Sequence, residues 1–160
     1  MEEERGSEIV QMIGALWNEQ KNRELLYLEA LKKDSMSPFR RLLSQGHVSA
    51  VLFQKEIRSI YDYFKCFLTD RELGEVNQIS SKLSLHNLQN LNEKEEVAGC
   101  LKKIEAATLQ LYQTLRIYLE KDSETLGILD EHLVRISEFY ESLCKLERGN
   151  KKSISYTVAA

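Results

Sequence analysis

SPFRRLLSQGHVSAVLFQKEIRSIYDYFKCF, running from Ser37 to Phe67, is the stretch that decides the fold. After Ser-Pro it places Phe39, Leu42, Leu43, Gly46, Ala50, Phe53, Ile57, Ile60, Tyr61 and Phe64 at steps of three and four, the spacing of one helical face. That period predicts a long amphipathic helix over 38–68, with Ser37 as N-cap and Pro38 in the first turn, where its missing N–H costs nothing. Gly46 and Ala50 are the small positions at which a neighbouring helix can come close.

Three more stretches carry the same period. The first runs from Ser7, a candidate N-cap, over 7–33, with Ile9, Ile13, Leu16, Trp17, Tyr27, Ala30 and Leu31 on one face. The third covers 93–120, with Asn92 as cap and Glu95 at the capping-box position. Its stripe is Val97, Cys100, Leu101, Ile104, Thr108, Leu111, Leu115 and Tyr118. The fourth, over 123–148, opens on Asp122-Ser123-Glu124 and carries Leu126, Leu129, Leu133, Ile136, Tyr140 and Leu143. Residues 69–92 read as a long crossover and 151–160 as a flexible tail. The expected fold is all-α: one antiparallel four-helix-bundle domain over residues 1–150.

Composition supports a helical, intracellular reading. Among 160 residues there are 42% hydrophobic, 29% charged, one proline and a net charge of -3, so helix breakers are scarce and no basic face marks a nucleic-acid binder. The acidic start, Met1-Glu2-Glu3-Glu4, is followed by no apolar run, and no stretch has the ~20 apolar residues of a membrane span. Three widely spaced cysteines, Cys66, Cys100 and Cys144, fit reduced core thiols in a cytoplasmic protein.

One run breaks the pattern. Asn18-Glu19-Gln20-Lys21-Asn22-Arg23-Glu24 contains no apolar residue, yet the phase of the first helix sends either Gln20 and Glu24 or Gln20 and Arg23 toward the interior. An unpaired charge there costs several kcal/mol. A splayed helix, a watery border, or Arg23 and Glu24 reaching to the rim would each relieve it.

A pair of long helices, a crossover and a second pair resembles the ferritin-like four-helix bundles, and more closely the uncharacterised bacterial ferritin-like families, domains of unknown function. The resemblance is carried by Tyr27-x-x-Ala30, Pro38-Phe39, Phe53-x-x-Glu56-Ile57, and Glu105 with Tyr112 and Leu115, and covers about residues 9–147. It implies a di-iron site built from a Glu on each of two helices and a Glu-x-x-His on each of the other two. None of His47, His86 or His132 has a Glu three positions before it, because those positions hold Ser44, Leu83 and Leu129.

Inward positions at mid-bundle otherwise carry no charge, at Ala50, Phe53, Ile104, Thr108, Leu133 and Ile136, which leaves Glu24 as the one inward carboxylate. If Glu56 and Glu105 rotated inward beside it, three carboxylates and no histidine would remain, a poor transition-metal set. His132 beside Glu131 reads as a rim histidine, and His47 as a buried-edge one. No phosphate loop, nucleophile elbow or Cys-His motif is present, so no catalytic residue is assigned.

The expected function is a non-catalytic bundle without cofactor, acting through self-association or another protein partner, with neither nucleic acid nor membrane as partner. The alternative is a divergent iron-binding protein using Glu24, Glu56 and Glu105. Tyr63 and Phe67, aromatic beyond the core register, either mark a partner surface or are covered by Leu83, Leu85 and Leu88 of the crossover.

Overall fold

A computed structural model describes residues 2–68, 83–119, 121 and 123–159, with side chains described over 6–68, 85–119, 121 and 123–148. The described residues are helical. Among them are five α-helices, α1 (Glu2–Leu31), α2 (Arg40–Lys65), α3 (Leu83–Gln89), α4 (Lys94–Tyr118) and α5 (Glu124–Ala159), with a 3-10 turn, Asp34–Phe39, between α1 and α2. No strand occurs among the described residues, and no helix there is long and apolar enough to cross a membrane.

The helix ends differ from the sequence expectation. Ser37 caps nothing: it and Pro38 lie inside the 3-10 turn, and α2 begins at Arg40 after Phe39. The tighter turn buries Met36 completely, and that burial outweighs a capped α-helical start. Ser7 likewise lies within α1, and α4 follows Glu93 with no side-chain cap, so Asn92 and Glu95 form no capping box. Ser123 is a true cap, its Oγ accepting from the Leu126 N–H at 3.2 Å. Where the sequence reads a tail, α5 continues to Ala159.

The long helices pack α1 on α2, α4 on α5, α1 on α4, and more lightly α2 on α5. Residue pairs give the register. Along α1 and α2, Gly14 faces Tyr61 and Tyr27 faces Gly46. Arg23 and Gln20 of α1 meet Glu105 and Tyr112 of α4. Lys102 and Arg116 of α4 pair with Glu147 and Asp130 of α5.

Two apolar clusters result. One gathers Leu26, Tyr27, Met36, Leu43, Leu101 and Leu143, and α3 joins it by burying Leu88. The other gathers Ile13, Leu16, Ile57, Ile60, Leu115 and Ile136. The α2 face matches its predicted stripe, but α4 is turned slightly, burying Ala98, Glu105 and Tyr112 while Cys100, Leu111 and Tyr118 are half-buried. Of the cysteines, all free, Cys66 is exposed and the other two are half-buried, which corrects the expectation of core thiols.

Gly46 leaves the space that the Tyr27 ring of α1 fills. A Cβ there would lie 2.5 to 2.7 Å from three carbons of the Tyr27 ring, which is itself fully buried. An alanine in mid-helix gains up to ~1 kcal/mol of propensity, but overpacking of this kind costs about 1–3 kcal/mol. Gly46→Ala is therefore expected to lower the melting temperature; a raised one would show that the Tyr27 ring moves aside freely.

Candidate functional site

Between the two apolar clusters lies a layer of buried polar side chains drawn from α1, α4 and α5, which Ser49 and Glu56 of α2 join at its edges. The polar run of α1 supplies Gln20 and Arg23, both fully buried, and α4 answers with Glu105, also fully buried. Arg23 donates from Nε to Glu105 Oε1 at 2.5 Å and from Nη2 to Oε2 at 3.1 Å, a two-pronged charge-assisted pair. Its Nη1 donates to Gln20 Oε1 at 2.6 Å, and Nη2 also reaches Ser49 Oγ at 3.3 Å. Ser49 in turn donates to the Gly46 carbonyl. The rings of Tyr27, Phe53 and Phe139 surround the guanidinium, with centroids 5.6 to 5.9 Å from its carbon.

A second arm leaves Gln20 in the opposite direction. Its oxygen is taken by Arg23, so its amide nitrogen donates to Tyr112 Oη at 2.8 Å. Tyr112 lies 2.8 Å from Nδ1 of His132, and His132 Nε2 lies 3.1 Å from Glu56 Oε1. The order of donors fixes the tautomer: Tyr112 gives its own proton to Nδ1, and Nε2 carries the hydrogen donated to Glu56. His132 is neutral in this arrangement and stacks on Phe53, centroids 3.9 Å apart. The relay runs from Glu105 in the interior to Glu56, whose side chain is 45% exposed.

Burial sets the ionisation of the layer. It pushes Glu105 above the usual carboxylate range against the pull of Arg23, and it pushes the Tyr112 and Tyr27 hydroxyls up. For Arg23 burial pulls down most strongly, but Glu105, with smaller help from Tyr27 and Tyr112, leaves it raised. For His132 burial dominates and lowers its value from 6.5, with Glu56 pulling the other way.

The sign of the resulting pH dependence follows. With the folded ring titrating below the unfolded one, the unfolded chain binds more protons as pH falls, so the stability contributed by neutral His132 is present above about 6.5 and lost below it. Between pH 8 and 6 the wild type is expected to lose melting temperature relative to His132→Asn, which keeps an acceptor for Tyr112. Parallel curves for the two proteins would contradict a buried neutral His132.

The sequence-derived site residues do not converge. Glu24 is half-buried and accepts from Gln54 at 2.8 Å, Glu56 serves His132, and Glu105 is enclosed by Arg23. No group of three or more His, Cys, Asp or Glu side chains with metal-binding geometry exists among the described residues. Two expectations are corrected here. The inward carboxylate belongs to α4 as Glu105 rather than to α1 as Glu24, and His132 is 1% exposed rather than at the rim. His132 stands three residues after Leu129 and four before Ile136, both core, and that spacing was the available signal.

Tyr63 and Phe67 remain 60% and 70% exposed, beside a cleft of about 940 Å³ that Phe64, Tyr118 and Ile128 also line. The described part of the crossover does not cover them, because Leu85 and Leu88 pack on the other apolar cluster, with Leu26 and Tyr27. Compared with known proteins, the chain matches no family model, no curated protein and no solved structure.

Proposed function

We propose that the chain is a non-catalytic, ferritin-like antiparallel four-helix bundle, its crossover linking α2 to α4, that acts through protein contacts, with self-association the favoured form. One observation carries the reading. At mid-bundle, where a bundle of this kind holds a cofactor, Gln20, Arg23, Glu105, Tyr112 and His132 are bonded to one another, and both oxygens of the buried Glu105 face a permanent cation, Arg23. A metal ion placed there would stand against a guanidinium and lack histidine ligands, so the donor set does not fit a di-iron centre.

Surface chemistry supports the second half of the reading. Val48, Leu52, Tyr63 and Phe67 are each more than half exposed; the first three lie on α2 and Phe67 follows just past its end. Apolar side chains lined along one helix favour association with another protein surface. Sedimentation equilibrium over a concentration series tests it: a mass rising toward twice the 18.6 kDa of the chain is expected. A mass that stays at one chain up to several hundred micromolar would overturn self-association.

A further inference from the structure

The light contact of α2 against α5 leaves a cleft of about 620 Å³ on the surface. Its α2 wall carries Val48 and Leu52, 52% and 51% exposed, one turn apart. Its α5 wall carries Arg135 and Glu138, also one turn apart and both largely exposed, which hold each other only loosely at 3.7 Å.

The two pairs lie at one level. His132 contacts Phe53 and Glu56 below them, and Tyr27 touches both Gly46 and Phe139 above them, so each pair falls between the same two cross-helix contacts. A two-fold axis through that level, perpendicular to the helices, would set Val48 against Leu52 of a second copy and Leu52 against its Val48. The same rotation would set Arg135 against the second Glu138 and Glu138 against the second Arg135. An apolar pair and an opposite-charge pair are thus both self-complementary about a single axis, the condition for an isologous interface.

We propose that this α2–α5 face docks a second copy of the chain, with Val48 and Leu52 at the centre of the contact and Arg135 and Glu138 exchanging partners at its edge. The proposal rests on the self-association reading and names its surface. Neither pair is used inside the bundle core, so surface variants leave the fold intact.

Analytical ultracentrifugation of the full chain and its variants tests it, with circular dichroism melts as folding controls. Leu52→Glu is expected to weaken the dimer at least about 30-fold, the size of an interface hot spot, at unchanged melting behaviour. Arg135→Glu and Glu138→Arg each place like charges in contact twice and weaken it about tenfold or more. Mixing those two variants is expected to restore a heterodimer, and the double exchange R135E/E138R to restore a homodimer. A wild-type dimer that all these variants leave intact would overturn this surface while sparing self-association. A monomeric wild type would overturn both.

Discussion

Arg23→Met is expected to destabilise the fold by about 3–5 kcal/mol, the cost of leaving a buried ion without its partner. Glu105 then keeps two acceptor oxygens in a site with no exposure and no cation, and its already raised pKa rises further. The loss should shrink as pH falls, because a protonated Glu105 no longer carries the uncompensated charge. Adding Glu105→Leu to the same chain should recover most of the loss, since replacing both members of a buried pair by apolar groups is often neutral or stabilising. Urea denaturation of the two single variants and the double variant measures the coupling. A double variant as unstable as the sum of the singles would deny that the two side chains act as a pair.

Tyr112→Phe removes one oxygen and strands two groups. Gln20 Nε2 loses its acceptor and His132 Nδ1 loses its donor, both in the buried layer. Each orphaned group costs about 1–3 kcal/mol, and the ring, fully buried, cannot withdraw to admit water. The variant is expected to melt well below wild type while keeping its helical content. A loss under about 0.5 kcal/mol, within the range of a neutral surface change, would show that the hydroxyl bridges nothing.

What the layer contributes is definition more than net stability. A buried ion pair gains little over packed apolar side chains, but it penalises every arrangement in which Arg23 and Glu105 fail to meet. Apolar stripes of period three to four tolerate sliding by a turn. A two-pronged pair between α1 and α4, continued through Gln20 and Tyr112 to His132 on α5, holds three helices to one level. Glu56 extends that register to α2.

Much of this was legible from residue order. The α2 stripe and the bundle-forming helices follow from apolar spacing alone, and the apolar gap in α1 marks where polar side chains enter the interior. Gln20 with Arg23 was one of the two inward pairs that its phase allowed. The partners were not legible, because Glu105 lies 82 residues away, beside Ile104 and one residue off the stripe drawn through it. A small rotation of α4 moves Glu105 and Tyr112 in and Leu111 out, and periodicity does not resolve a rotation that small. His132 is offset by the same margin: the stripe runs through Leu133, which is half-buried, and Glu131 beside His132 suggests a rim position. Ser37-Pro38 misled for a different reason, since local capping preference yields to the burial of Met36.

Central to the proposed function is a bundle middle closed by its own side chains, which on that proposal takes up no metal. Elemental analysis of protein made in iron-replete medium, followed by aerobic ferrous titration watched for ferric absorbance, tests this most directly. The account predicts substoichiometric metal and no oxidation, in wild type and in Glu105→Gln alike. About two iron ions per chain, the di-iron stoichiometry, lost on Glu24→Ala or Glu105→Gln, would contradict it and restore the divergent iron-binding reading.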